Sequence, residues 1–183
     1  MPKSTVVKAE LQISDMDRHY YATHNLVLAQ HPSETDERLM VRLLAFALYA
    51  DERLEFGRGL SDEDEPALWR RDYGGEIEQW IELGHPDESR VKKACARARE
   101  VVVVNYGGRA SDLWWEKAAG TLSRLKNLTV VALPAEVPAQ LAAMGGRGMR
   151  LNALVQDGEL QLMGDAGTLA IRPEARIVST GMR

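Results

Sequence analysis

The first hydrophobic pattern is a strict alternation. Val7, Ala9, Leu11 and Ile13 alternate with Lys8, Glu10 and Gln12, the period-two signature of a strand with one buried face. Ser14-Asp15-Met16-Asp17 supplies turn residues, and a second run from about His19 to Ala29 is expected to pair back as a hairpin. The period then changes. Met40, Leu43, Leu44 and Ala47 recur at helical spacing, predicting a helix carried through to about Ala50. Ser33 is its expected cap and Asp36 the acid three residues on, as in a capping box. Between Asp51 and Gly75 the periodicity fails. Leu54, Phe56 and Leu60 are compatible with a short strand, and a short helical piece is expected around Trp69.

Ile77–Leu83 reads as a strand closed by Gly84. Pro86 opens the next helix, with Asp87 and Glu88 in its first turn, where the macrodipole favours acids. Val91, Ala94, Cys95 and Ala98 form the apolar face of that helix. Val101–Val104 is a continuous β-branched run, the mark of a strand buried on both faces. A helix from about Arg109 to Ala119 and a second buried strand at Leu128–Leu133 extend the alternation. A short helix to about Met144 leads into the loop Gly145-Gly146-Arg147-Gly148. Leu151–Val155 and Leu160–Met163 flank Asp157-Gly158, a two-residue hairpin signal, and a last strand is expected near Leu169–Ile171. The fold class is therefore mixed α/β: one domain over residues 1–183, a central sheet flanked by helices, and extra antiparallel strands at both termini.

Composition narrows the function classes. The chain has 183 residues, 27 acidic and 23 Lys+Arg, for a formal net charge of −4. An acidic balance argues against a general nucleic-acid coat protein. No apolar run reaches the roughly 18–20 residues that span a bilayer, and the first residues lack a signal-peptide pattern. A lone cysteine, Cys95, excludes an internal disulfide and favours a reducing, cytoplasmic compartment. A monomer is the expected state.

Familiar motifs are absent: no Walker A loop, GxSxG elbow or GxGxxG turn occurs. His19, His24, His31 and His85 lack zinc-site spacing, Cys95 reads as core, and Trp114-Trp115 reads as helix-on-sheet packing. Carboxylates carry more. Alternation puts Glu78, Trp80 and Glu82 on one strand face. Glu37 falls at the margin of its helix's inward face, with Glu34 nearer the outer edge, and Asp64-Glu65 precede the stiffening Pro66. Converging, Glu37, Asp64 or Glu65, and Glu82 would make an all-oxygen pocket of the kind Mg²⁺ needs; apart, they are ordinary surface acids. Arg90, Lys92, Lys93, Arg97 and Arg99 lie on or just beyond the following helix, where they would contact phosphates, balance nearby acids or form a solvated face.

Several blocks have a recognisable form: His31-Pro32-Ser33-Glu34-Thr35-Asp36-Glu37-Arg38, Leu48-Tyr49-Ala50-Asp51-Glu52-Arg53-Leu54, Asp64-Glu65-Pro66, Trp80-Ile81-Glu82-Leu83-Gly84 and Val91-Lys92-Lys93-Ala94. Together, and essentially end to end, they resemble the bacterial YaeQ family, whose fold resembles the restriction-endonuclease-like PD-(D/E)xK phosphodiesterases. That resemblance implies a core of helix, three strands, helix and strand. It implies catalytic positions at Glu37 (with Glu34), at Asp64 or Glu65, and at Glu82, with Asp64, Glu65 and Glu82 as ligands of Mg²⁺ or Mn²⁺. Two departures stand out: Asp64-Glu65-Pro66 reverses the usual Pro-Asp order, and Gly84 replaces the lysine two residues after the strand acid. The implied lysine is then a migrated one, Lys92 or Lys93. The expected function is a Mg²⁺-dependent nuclease-like phosphodiesterase acting on nucleic acid. The alternative is a catalytically inactive member of the fold that binds nucleic acid or a protein partner.

Overall fold

Among the described residues, 3–58 and 64–181, the computed structural model has eleven strands in two sheets and four helices. The chain divides into two compact units, one running up to Ala50 and resuming at Glu136–Arg172, the other covering Asp51–Ala135 and the chain from Pro173. The predicted part played by Leu60, and residues 61–63 of the acidic stretch, lie outside the described residues.

In the first unit, β1 (Thr5–Asp15) and β2 (Tyr20–Gln30) form the expected hairpin. β8 (Gly148–Gln156), β9 (Glu159–Gly164) and β10 (Gly167–Ile171) form the expected C-terminal meander. The two sets are not separate additions. β1 pairs in parallel with β8, placing Leu11 opposite Leu151 and giving the order β10-β9-β8-β1-β2. Asp17 fixes the Asp157-Gly158 turn by accepting both backbone N–H groups, at 2.8 and 2.9 Å, which holds its carboxyl below the ordinary range.

Helix α1 (Asp36–Leu48) begins later than expected. Its cap is Thr35, whose Oγ1 accepts the Arg38 N–H at 3.1 Å, while the Ser33 hydroxyl turns to His31 Nδ1 at 2.7 Å. Glu34 therefore precedes the helix, and helical spacing does not govern where it points. Rather than lying near the outer edge, its carboxylate is buried, paired with Arg38 at 2.5 Å and Arg42 at 2.7 Å. Helix α4 (Val137–Met144) packs against α1.

The second unit carries a six-stranded sheet in the order β11-β7-β6-β5-β4-β3. Its strands are β3 (Leu54–Phe56), β4 (Leu68–Arg71), β5 (Ile77–Leu83), β6 (Ala98–Asn105), β7 (Leu128–Ala132) and β11 (Glu174–Ile177). β5, β6 and β7 are parallel and the outer pairings antiparallel. Helices α2 (Glu88–Arg97) and α3 (Arg109–Leu122) make the two crossovers. Trp69 lies in strand β4, not in a helical piece: cross-strand pairing with Trp80 and Glu55 overrides the local pattern. Val91, Ala94 and Cys95 of α2 and Ala118 and Leu122 of α3 share a core with Trp80, Val101, Val103, Leu128 and Val130. Cys95 is buried there, and Trp114 packs at its border with Nε1 donating to the Pro86 carbonyl at 2.8 Å. Asn127 closes the end of α2, its Nδ2 donating to the Cys95 and Ala98 carbonyls at 3.0 and 3.1 Å. No helix among the described residues is long and apolar enough to cross a membrane.

Candidate functional site

The geometry starts from the alternation in β5. Trp80 and Glu82 share a face, as the spacing predicts, and that face looks onto α2. Glu82 is 7% exposed. Its Oε1 accepts Trp80 Nε1 at 2.8 Å and both Nε and Nη2 of Arg90 at 2.9 Å. Arg90 comes from the first turns of α2, eight positions beyond Glu82. The tight connection at Gly84 makes that reach possible. Gly84 has φ +85°, a conformation that L side chains enter only with strain. Its N–H donates to Val104 O at 2.9 Å, and its carbonyl accepts Asn105 Nδ2 at 2.7 Å. This turn favours glycine at position 84, where the resemblance leads one to expect a lysine.

The loop before β4 meets the same arginine, but through its backbone. Arg90 Nη2 donates to the Glu65 carbonyl at 3.0 Å, and Arg97 Nη1 to the Asp64 carbonyl at 3.4 Å. The Glu65 carboxylate turns to Arg58, accepting its backbone N–H at 3.3 Å with Nε at 3.6 Å; Asp64 is exposed. Lys92 and Lys93 lie exposed on α2. Glu37 is half-buried in the first turn of α1 and belongs to the first unit, whereas Asp64, Glu65 and Glu82 belong to the second. Among the described residues no three His, Cys, Asp or Glu side chains gather to hold a metal ion. A hard divalent cation needs several converging oxygens. Here a guanidinium presents two donors to the one buried carboxylate, so the residues do not fit Mg²⁺ in this arrangement.

Arginine and tryptophan alternate outward from Glu82. The Arg97 guanidinium lies 5.2 Å from the Trp80 ring centroid; Trp69 meets Trp80 edge to face at 6.0 Å; Arg71 stacks over Trp69 at 4.3 Å. Such contacts hold cationic side chains against aromatic faces. Sequence pattern places Arg90 in a basic face without pairing it to Glu82. The signal for the pairing is the short Gly84–Pro86 turn, which brings the start of α2 back over the end of β5. Trp69 and Arg71 escape the sequence reading because their segment reads as helical.

Glu78 diverges from its two neighbours. The register of β4 with β5 shifts between Arg70 and Arg71, leaving Glu78 outside the one-to-one pairing. Its carboxylate instead takes a two-pronged Arg53 at 2.9 and 3.1 Å and Arg70 Nε at 2.7 Å. The Arg53 hydrogen bonds, with Arg70 behind them, hold the Glu78 carboxyl below its ordinary value. A depressed carboxyl contributes stability above its unfolded pKa, near 4.3, and loses that contribution as pH falls through the lower folded value. Thermal unfolding followed from neutral pH to about pH 3 should therefore show an acid-side loss that is shallower in Glu78→Gln, which is less stable at neutral pH.

Known proteins share this architecture throughout. The family model described as YaeQ protein matches residues 1–173. The crystal structure of YaeQ protein from Xanthomonas axonopodis pv. citri is 60% identical and superposes with a TM-score of 0.93 over 96% of this chain and 99% of that one. YaeQ protein from Pseudomonas syringae, 35% identical, superposes with a TM-score of 0.92 over 97% of this chain and 98% of that one. The uncharacterised protein YaeQ of Escherichia coli K12 is 45% identical over 169 residues, 92% of this chain and 93% of its own length. The family is thereby shown, and the chain belongs to the YaeQ family.

Proposed function

We propose that this protein is a nucleic-acid-binding member of the restriction-endonuclease-like PD-(D/E)xK superfamily in which an ion pair has replaced the metal centre. The observation that carries the reading is the Arg90 guanidinium on Oε1 of Glu82, the acid that the family pattern assigns to the metal. The superfamily assignment draws support from the element order α1–β3–β4–β5–α2–β6, the helix, three strands, helix and strand expected of that core. Binding draws support from a strip of cations. Lys92, Lys93 and Arg97 are exposed on α2, and Arg97 connects through Trp80 and Trp69 to Arg71. Lysine and arginine so placed neutralise phosphates. With a chain net charge of −4, binding is expected to be modest and strongly salt-dependent.

Fluorescence anisotropy with labelled single- and double-stranded oligonucleotides, titrated at several salt concentrations, tests the reading. Removing one cation that neutralises a phosphate should flatten the slope of log affinity against log salt by roughly 0.7–0.9. The triple variant Lys92→Ala, Lys93→Ala, Arg97→Ala is expected to bind more weakly and to lower the slope by roughly 2.1–2.7. Unchanged affinity and slope in that variant would remove the strip from the interface.

A second reading has one specific observation in its favour. Arg90 bridges the Glu82 carboxylate and the Glu65 backbone carbonyl, so the loop before β4 and the strand acid meet at one side chain. On this reading the protein is a Mg²⁺- or Mn²⁺-dependent phosphodiesterase, with Arg90 displaced in the active state and Lys92 or Lys93 serving as the migrated lysine.

A further inference from the structure

Three of the four sheet edges among the described residues are short: β3, β10 and β11 have three, five and four residues. The fourth, β2, is an uninterrupted strand of 11 residues that pairs with β1 alone, one to one and without a bulge. Tyr20–Gln30 holds no Asp, Glu, Lys, Arg or Pro, the residues that ordinarily blunt an open edge. Backbone parity shows which groups this edge presents. The Lys8 N–H donates to the Arg147 carbonyl at 2.8 Å, so the even-numbered residues of β1 bond towards β8 and the odd-numbered ones towards β2. Those odd-numbered residues face the even-numbered residues of β2. The N–H and C=O of Tyr21, Thr23, Asn25 and Val27 are thereby directed out of the sheet. Ala29 belongs to the same set, but its carbonyl is already taken by Arg42 Nη2 at 3.1 Å. All four outward residues have exposed side chains, Tyr21 at 59% and Val27 at 62%.

We propose that this edge is the interface of a symmetric dimer, in which β2 pairs antiparallel with β2 of a second copy of the chain. A two-fold interface is self-complementary: where one residue meets another across it, the reverse contact also forms. One register uses all four outward residues and no occupied group. Its axis passes beside His24, setting Tyr21 opposite Val27 of the partner subunit and Thr23 opposite Asn25 of the partner subunit. Each of these pairs exchanges two N–H···O bonds. Centring on Asn25 would set Tyr21 against Ala29, whose carbonyl Arg42 holds, and centring on Thr23 would leave Val27 unpaired. In the register about His24, Tyr21 and Val27 form an aromatic–β-branched cross-strand pair. Val6, 55% exposed, stands diagonally beside Val27 through the β1–β2 register, so apolar side chains exposed in one chain cover one another in two. With no acidic or basic residue on the strand, two copies meet without repulsion, and a strongly charged partner finds nothing to pair with. A single strand pairing is a small interface, so the dimer is weak, with a Kd of roughly 10–100 µM.

Sedimentation equilibrium of the full chain tests this, run from well below that concentration range to about tenfold above it. The mass is expected to rise from that of one chain towards that of two. Thr23→Lys combined with Asn25→Lys sets like charges opposite each other and should weaken the dimer by roughly tenfold or more. Thr23→Lys combined with Asn25→Glu sets opposite charges at the same pairs and should retain it. Both positions are exposed, so unchanged thermal unfolding of the dilute variants certifies the fold. Amide hydrogen exchange reads the register. The amides of residues 21, 23, 25 and 27 should gain protection as concentration rises, while the even-numbered amides of β2 are protected throughout. The mass of a single chain at every concentration would leave the edge to a strand of another protein and overturn the proposal. A dimer that the two lysines leave intact, or one that both variants lose equally, would overturn it too.

Discussion

Truncating Glu34 to alanine is expected to lower the unfolding free energy by about 3–5 kcal/mol, the usual consequence of removing one partner from a buried ion pair. The Glu34 side chain is 1% exposed and that of Arg42 is 7% exposed. Burial already pulls Arg42 below the ordinary arginine value, and the Glu34 carboxylate opposes that loss. Without Glu34 a desolvated guanidinium is left beneath the first turns of α1, and Arg38 is deprived of the same carboxylate. Urea unfolding should show the loss as a lower midpoint at unchanged slope. The double variant Glu34→Met, Arg42→Met removes both charges and fills the volume, and should recover most of the difference. A loss below about 1 kcal/mol in Glu34→Ala, a value typical of exposed pairs, would contradict the buried geometry.

The second large effect is at Arg90. Replacing it with alanine leaves the buried Glu82 carboxylate with Trp80 Nε1 as its remaining described donor on Oε1 and frees the Glu65 carbonyl. Arg90 is 26% exposed and Glu82 9% exposed at the side chain. Water reaches the pair in part, so the expected loss is about 2–3 kcal/mol, below the fully buried range. Arg90→Lys keeps the cation but not the paired donors on one oxygen, and should fall between wild type and alanine. Equal stability of all three proteins at neutral pH would show that Glu82 is not held by this arginine.

Local pattern carries much of the fold. The bounds of β5 follow directly from the apolar spacing of Ile77–Leu83, and the valine run at 101–104 lies wholly buried inside β6. Asp157-Gly158 forms its hairpin because Asp157 takes a positive φ of 52° and Gly158 one of 77°, conformations that this dipeptide supports. What local pattern misses depends on distant partners. The terminal strands make one sheet only because β1 finds β8 across more than a hundred residues. Trp69 enters a strand because Trp80 is its neighbour, and β11, which has almost no alternation of its own, forms against β7.

Candidate-site residues divide along the same line. That Trp80 and Glu82 share a face is legible in the sequence, since a strand's period decides it. The partner of Glu82 is not, because a turn and a helix must fold before Arg90 can reach it. Glu34 differs from its expected position for a related reason: moving the helix start from Ser33 to Thr35 takes Glu34 off the helical wheel.

At the centre of the proposed function, a guanidinium occupies the ionic partnership of Glu82 that the family pattern assigns to a metal. The most direct measurement is a cleavage assay with Mn²⁺ on mixed single- and double-stranded substrates, run side by side on the wild-type protein and Glu82→Ala, with calorimetric titration of Mn²⁺ into both. The ion-pair account predicts no cleavage by either protein and no Mn²⁺ binding that depends on Glu82. Cleavage by the wild-type protein that disappears in Glu82→Ala, together with Mn²⁺ binding abolished in the same variant, would contradict it.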